Sequence, residues 1–508
     1  TAQPLQQPPQ GMKPTTLRPS SRAFTSRMGL ATLSIVVLAS AAVVTHSQQD
    51  HADDGGSGEG SSAAYPISDA SSMGTAAAAA AAAAIPMPVV DIETVPGQLM
   101  KLSELSDAEP GTGVTRLIFT EKDVAGRAYI KSLMTNAGLE IREDVMGNIF
   151  GRWIGSHPDI PAVGSGSHAD AIPQSGLYDG CLGVIGPIEA IASLQRAGFK
   201  PKRSIEVLMF TSEEPTRFGI SCVGSRAMAS KLDPAYLASL PDILVENGTF
   251  WEAARNAGYG LETKGHDDMV RQCALPLTYY DSFLELHIEQ GPLLEREGIN
   301  LGLVTAIAAP AALRCSFTGD GGHAGAQLMP ARNDALLAAA ELTLAVEGFA
   351  LGTGAIDTVA TVGVLQVGPG AINSVPRTAE MEIDVRDIDG KRRDEVVAKI
   401  VAKGEEIAAR RKVRWTHTMI NADPPATCAP KVVDAAADAA KRLGLSSKRM
   451  VSRAYHDSLF MAEVAPTAML FIPCFKGYSH RPDEFSSSID IKNGVTALAL
   501  ALAQLSLA

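Results

Sequence analysis

The chain is predicted to be an α/β protein, a mostly parallel sheet with helices on both faces interrupted by an inserted α+β unit. Three observations lead there. From Val89 onward, apolar strand-like runs alternate with helical stretches, and each run feeds a loop of polar residues, the βαβ texture of a parallel sheet. After Val304 the texture shifts to the compact mixture of strands and helices typical of α+β units, up to about Asn421. Helix and strand then resume to the end, so the first unit is discontinuous. The boundaries read from this are a tail at 1–88, a first part of the α/β unit at 89–305, an insert at 306–421 and a returning part at 422–508.

The tail is not expected to fold. Gln, Pro and Ser dominate its start, and alanines run unbroken from Ala76 to Ala84. Within it, Gly29 to Val44 is uncharged and mostly apolar and follows Arg18, Arg22 and Arg27. That length suits a signal h-region or a marginal signal anchor better than a spanning helix. The expected address is the endoplasmic reticulum, with the chloroplast or another organelle as the alternative, and membrane contact is limited to this segment. Asn247-Gly248-Thr249 is a glycosylation sequon that the secretory route would use.

Leu99 to Leu105 and Val124 to Ala137 read as amphipathic helices, and Glu140 to Trp153 as a hairpin turning at Met146-Gly147-Asn148. Ile160 to Ser167 is an apolar strand feeding His168. Leu182 to Arg196 is a long helix ended by Gly198, and Ser204 to Phe210 is the next strand. Phe283 to Gly291 is a short apolar segment carrying His287 and Gln290. In the insert, Arg314 to Thr318, Thr358 to Gln366 and Glu380 to Arg386 are strands, while Arg332 to Gly348 and Lys391 to Arg411 are helices.

Gly166-Ser167-His168-Ala169-Asp170, Tyr178-Asp179-Gly180 and Thr211-Ser212-Glu213-Glu214-Pro215 each follow an apolar run or a glycine-rich turn. Their polar side chains therefore fall on loops at strand ends, where open α/β sheets bind ligands. A histidine, an aspartate of bridging type and a glutamate pair offer mixed nitrogen and oxygen ligands, which suit divalent zinc or manganese. The surplus carboxylate beside a ligand is what a metal-assisted hydrolase needs as general base. Taken singly, each piece has a plain structural explanation, a helix cap or a solvated helix start. Together, after apolar segments, they point to a site.

Composition excludes other classes. A net charge of −12 argues against nucleic acid, whose phosphates require clustered Lys and Arg. The six cysteines, Cys181, Cys222, Cys273, Cys315, Cys428 and Cys474, lie far apart without a CxxC pair and mostly in apolar surroundings, so buried free thiols are expected. Gly319 to Gly322 lacks the Lys-Ser/Thr of a phosphate loop.

From about Val89 to the C-terminus the sequence resembles the M20-type binuclear metallohydrolases, in the branch of amidohydrolases acting on carbamoyl (ureido) groups. The resemblance is carried by the three motifs above, the last of them extended as Thr211-Ser-Glu-Glu-Pro-Thr-Arg-Phe218, together with Leu286-His-Ile-Glu-Gln-Gly291 and Gly319-Asp-Gly-Gly-His-Ala-Gly325. Within that branch, Arg453-Ala-Tyr-His-Asp-Ser458 and Lys476-Gly-Tyr-Ser-His-Arg-Pro482 look most like the plant-type ureidoglycolate amidohydrolases; related allantoate and N-carbamoyl amino-acid enzymes tend to have a small residue where Tyr455 stands. The resemblance implies two divalent ions per subunit, manganese by family habit with zinc possible, held by His168, Asp179, Glu214, His287 and His480, with Asp179 bridging. It implies Glu213 as general base, Asp170 as the carboxylate orienting His168, and a linear amide C–N bond as the target. It further implies a homodimer in which the insert mediates pairing and His323 reaches the neighbouring subunit's site. The substrate would be a small anionic ureido compound, its carboxylate gripped by Arg386, with Gln290 and Asn373 hydrogen-bonding around it and Tyr455 and His456 near the α-substituent. Ureidoglycolate is the expected substrate; allantoate or an N-carbamoyl-L-amino acid is the alternative. A metallo-aminopeptidase and a non-catalytic binding module are the more distant rivals.

Overall fold

In the computed structural model, residues 84–508 are described. Most of the expected tail, including Gly29 to Val44, lies outside the described residues. Among the described residues no helix is long and apolar enough to cross a membrane.

Helix α1 (Thr94–Ser103) begins earlier than the apolar spacing suggested, and α2 (Glu121–Asn136) starts where the Thr120 hydroxyl accepts the Asp123 N–H. The hairpin forms from β1 (Glu140–Glu143) and β2 (Ile149–Trp153). Strand β3 (Ala162–His168), helix α3 (Cys181–Arg196) and strand β4 (Ile205–Phe210) follow, and β3 and β4 lie parallel. Between Val223 and Cys273 come four helices of six to eight residues with a core of their own around Phe218, Phe250 and Met269. Apolar spacing in the sequence does not reveal them, because two turns hold too little periodicity to stand out. The first of these, α4 (Val223–Met228), borders the site. Strands β5 (Tyr280–Ile288) and β6 (Leu301–Ile307) come next.

A separate, four-stranded antiparallel sheet then runs from Ala309 to Ala422, built from β7 (Ala309–Thr318), β8 (Val359–Gly368), β9 (Thr378–Asp387) and β10 (Arg414–Ala422) in the order β8, β9, β7, β10. Helices α5 (Ala335–Leu351) and α6 (Gly390–Arg411) pack on it around Leu313, Phe317, Leu342, Ile383 and Ile400, a core separate from that of the large sheet. Helix α5 begins at Ala335 rather than Arg332 because the Asp334 carboxylate caps it, accepting the Leu337 N–H at 3.2 Å.

Strands β11 (Ser447–Ser452) and β12 (Thr467–Ile472) return to complete the large sheet. Its order is the short strand Ala426–Thr427, then β6, β12, β5, β3, β4, β2, β1, with β11 beside β6. The central strands β12, β5, β3 and β4 are parallel, whereas the β1–β2 hairpin, the β2–β4 pair and the β6–β12 pair are antiparallel. The sheet is thus mixed, with a parallel centre. Short connections such as the one between β1 and β2 permit only antiparallel pairing.

Side chains of β4 alternate between the faces. Val207 and Met209 join the core under α3, while Leu208 and Phe210 join Phe150, Phe283, Met228 and Met461 on the opposite side. The first face is covered by α3 and, in the returning part, by helices over Pro430–Leu443 and Ser488–Leu507. Helices therefore occur on both faces.

Candidate metal centre

The parallel strands β3, β4, β5 and β12 end at one edge of the sheet, and their loops deliver the polar side chains there. His168 is the last residue of β3, Glu213 and Glu214 follow β4, His287 stands one residue from the end of β5, and His480 lies in the loop after β12. Asp179 enters from the turn before α3. Gly180 in that turn has φ +65°, and a Cβ on it would lie 2.3 Å from His168 Nε2, so only glycine lets the Asp179 turn close over the histidine. Ser212, Cys222, Gln290 and His480 also adopt left-handed backbone, and such a concentration of uncommon conformations is typical of functional sites.

The structure brings the five expected ligands together. His168 Nε2 is 3.7 Å and His287 Nε2 3.2 Å from Asp179 Oδ1, while His480 Nε2 is 3.2 Å from Asp179 Oδ2 and 3.5 Å from Glu214 Oε1. Two triads result, His168–Asp179–His287 and Asp179–Glu214–His480, each with possible ligand atoms within 4.8 Å of one another and sharing the aspartate. Glu213 Oε2 lies 3.7 Å from His168 Nε2.

The donor set fits divalent cations on a physical test. His287 Nδ1 is 2.9 Å from the Ile288 carbonyl and His168 Nδ1 is 3.0 Å from the Asp170 carbonyl, and a carbonyl only accepts. Both Nδ1 atoms therefore carry protons, which turns each Nε2 lone pair toward the carboxylates. Lone pairs facing one another at such distances require a cation or a proton between them, the arrangement found where histidines ligate metals. Where protons serve, burial opposes the His287 charge, but Asp179 outweighs it and raises the imidazole to about 9; the hydrogen bond to Asp179 likewise brings His480 to about 9. Burial also works against charge on Asp179, yet hydrogen bonds from His287 and His480 hold it well below the usual carboxylate range. Glu213 is pushed well upward by burial and then by Glu214, Asp457 and Asp170, and Glu214 by burial and then Asp179, to about 8.

The Asp170 carboxylate stands 3.8 Å from His168 Nδ1 and instead receives the backbone N–H groups of Glu213 and Glu214 at 3.3 and 3.0 Å, so it fixes the glutamate loop while its carbonyl orients the histidine. Gln290 directs its amide NH₂ to Asp179 Oδ2 at 2.8 Å and to Ser479 Oγ at 3.1 Å. His456 is buried behind His287, ring centroids 4.7 Å apart, with Nε2 2.9 Å from Ser452 Oγ; burial, then the His287 charge, hold it well below its ordinary value. Tyr455 Oη contacts Asp423 Oδ2 and an Arg226 nitrogen, each at 2.6 Å, and Arg226 grips Asp423 with two nitrogens. Arg386 is held by Asp384 at 2.8 and 3.2 Å, the intradomain ion pair that its Asp-Val-Arg-Asp setting also allowed. Arg386, Asp384, Tyr455, Arg226 and Pro215, the neighbour of Glu214, line a cleft of about 540 Å³ between the four-stranded sheet and the loop and helices that follow Glu214, large enough for a small organic anion. His323, in a two-stranded ribbon of the insert, and Asn373, in the turn just before its second strand, are both exposed, and the Asn373 backbone carbonyl accepts the Ala324 N–H at 2.9 Å.

Three participants were missed by sequence reasoning. Glu484 accepts the N–H groups of Tyr178 and Asp179 at 2.9 and 3.0 Å, and Ser479 Oγ lies between Asp179 Oδ2 and Glu484 Oε2 at 2.9 and 3.0 Å. Cys222 directs its thiol to Glu213 Oε1 at 3.4 Å. An acid four residues beyond His480 was the one local signal for Glu484. All six cysteines are free and buried, as expected.

The chain is similar to known proteins along most of its length. Ureidoglycolate hydrolase of Arabidopsis thaliana is 55% identical over 419 residues, 82% of this chain and 87% of that one. The N-carbamoyl-L-amino acid amidohydrolase of Geobacillus stearothermophilus is 37% identical over 401 residues, 79% of this chain and 95% of that one. A solved structure of AtUAH in complex with (S)-hydroxyglycine superposes with a TM-score of 0.76 at 53% identity, covering 84% of this chain and 99% of that one. Residues 164–504 match the profile of Peptidase family M20/M25/M40, and the chain belongs to that family.

Proposed function

We propose that this protein hydrolyses the ureido group of (S)-ureidoglycolate, using two divalent ions, manganese by preference. The observation that carries the reading is the 55% identity to a ureidoglycolate hydrolase combined with two His/carboxylate triads sharing Asp179. Bound ions of this kind lower the pKa of water from about 15.7 towards about 7 and polarise a carbonyl oxygen. The residues of the chain supply the rest. Glu213, fixed through its backbone by Asp170, accepts the proton of the attacking water and delivers it to the departing nitrogen. Attack at the carbamoyl carbon releases ammonia, and the carbamate left behind loses carbon dioxide to give hydroxyglycine, a carbinolamine that collapses to glyoxylate and a second ammonia. Arg386 takes the substrate carboxylate in place of Asp384, a fork-to-carboxylate contact that fixes orientation. Tyr455 faces the α-substituent, with His456 buried behind His287, while Gln290 and Asn373, the latter from the turn beside His323, hydrogen-bond around the carboxylate and the ureido group.

The active form is read as a homodimer. Helix α5 carries an exposed apolar stripe of Leu337, Leu344 and Leu351, spaced by seven residues, and β8 beside it is an open sheet edge. A second copy of the chain covers both, and His323, from the exposed ribbon, donates a hydrogen bond to the developing oxyanion in the partner's cleft, a contribution typically worth on the order of 10²-fold to 10³-fold. An endoplasmic reticulum address remains part of the reading, resting on the N-terminal apolar segment and the exposed sequon at Asn247. The deciding experiment compares turnover of ureidoglycolate, allantoate and N-carbamoyl-L-amino acids by manganese-loaded protein. A clear preference for ureidoglycolate is expected; preference for either of the others reassigns the substrate within the same chemistry.

A further inference from the structure

The two triads are not built alike. His168 and His287 keep 4% and 1% of their side chains exposed, and each is fixed by a carbonyl of its own chain neighbourhood, Asp170 O and Ile288 O. His480 is half exposed and adopts φ +58°, an uncommon conformation for a non-glycine residue that persists only where surroundings impose it. Lys476, in the same loop, is also left-handed at φ +52°. The His480 loop therefore needs a fastening that the inner histidines do not.

Glu484 supplies it. The residue is 4% exposed, and its carboxylate enters beside Gly176, where a Cβ would lie 2.3 Å from the Glu484 carboxyl. Oε1 takes the two N–H groups that head the Asp179 turn, and Oε2 takes the hydroxyl side of Ser479, the residue preceding His480. Ser479 Oγ also lies 2.9 Å from Asp179 Oδ2, the oxygen that faces His480. One buried carboxylate thus joins the loop carrying the shared aspartate to the loop carrying the last histidine, across some 305 residues of sequence. The Phe475 N–H to Phe485 carbonyl hydrogen bond at 2.8 Å and the Tyr178–Phe485 edge contact at 6.1 Å close the junction around it.

We propose that Glu484 is the positioning residue of the second ion: it holds the shared Asp179 turn for both triads, but through Ser479 and the His480 loop it governs the affinity of the Asp179–Glu214–His480 triad more than that of the His168–Asp179–His287 triad. The inference rests on the two-ion reading above. Residues behind a ligand shell typically govern metal affinity by about 10-fold to 100-fold, and here that effect falls mainly on one ion of the pair.

The test titrates chelator-stripped, full-length protein with Mn²⁺ by calorimetry, with elemental analysis of bound metal, for wild type, Glu484→Gln and Ser479→Ala. Wild type is expected to take up two ions in a tight and a weaker step. Glu484→Gln is expected to keep the tight step and weaken the second by about 10-fold to 100-fold. Ser479→Ala moves the same step in the same direction by less; it leaves Glu484 and its backbone bonds in place, so it keeps the test valid should the buried Glu484 variant fail to fold. Wild-type affinities for both ions in both variants, or equal weakening of both steps, would overturn the proposal. Wild-type protein that binds no ion overturns the two-ion reading itself, and the proposal with it.

Discussion

Replacing Glu213 with glutamine removes the base and little else. The amide has the shape of the carboxylate, the backbone N–H still reaches Asp170, and the Cys222 thiol still meets an acceptor at the Oε1 position. Burial and the charges of Glu214 and Asp457 already disfavour a charge on Glu213, so folding stability should hold or rise. None of the ligand atoms of the two triads belongs to Glu213, so metal content should remain at the wild-type level. General-base catalysis contributes on the order of 10²-fold to 10⁴-fold, which at about 1.36 kcal/mol per tenfold is roughly 2.7–5.4 kcal/mol of barrier. The expected outcome is that fall in kcat with KM changed by less than about threefold, since the lost interaction belongs to the transition state. Ammonia release measured at saturating ureidoglycolate, beside elemental analysis of the same sample, reads both quantities. A variant that keeps its metal and retains kcat within about threefold of wild type would place the base elsewhere and refute this reasoning.

Metal affinity should fall as pH falls below about 9, because His287 and His480 hold protons there that an incoming cation must displace; proton release on adding Mn²⁺ in weak buffer measures it, and an affinity independent of pH between about 6 and about 9 would contradict the assignment. Arg127 is fully buried, paired with Asp123 at 2.7 Å and bonded to Thr211 and the Gly147 carbonyl, so Arg127→Met strands a buried carboxylate and should cost about 3–5 kcal/mol in denaturant unfolding. Leu344→Glu with Leu351→Glu should shift the protein toward monomer in light scattering and lower kcat, because the His323 donor comes from the second copy; a fully active monomer would remove that role. Tyr455→Gly should weaken turnover of ureidoglycolate more than that of N-carbamoyl amino acids, read as the ratio of kcat/KM values.

Residues whose placement is written in their immediate neighbours are legible in the sequence. His168, Asp179, Glu214 and His287 each stand in a short motif at a strand or helix end, and the parallel centre of the sheet converges those ends on one place. The alternating burial of β9 and the capped α5 were likewise legible as strand and helix, with α5 shifted because Asp334 claims the cap. What stayed hidden depends on pairs distant in sequence. Glu484 meets Tyr178 and Asp179 across some 305 residues, signalled only by its place four residues beyond His480, and Asp423 meets Arg226 across 197 with no local signal. The Asp170 carboxylate illustrates the same limit at short range: its place beside His168 was visible, but which of its groups would touch the ring depended on where the Glu213–Glu214 loop passed.

The most direct measurement is a crystal of manganese-loaded protein with anomalous scattering collected at the metal edge. Two peaks are expected on either side of the Asp179 carboxylate, one against His168 and His287, the other against Glu214 and His480. A single peak away from Asp179, or none at full manganese saturation, would contradict the shared-carboxylate centre on which the hydrolytic reading stands.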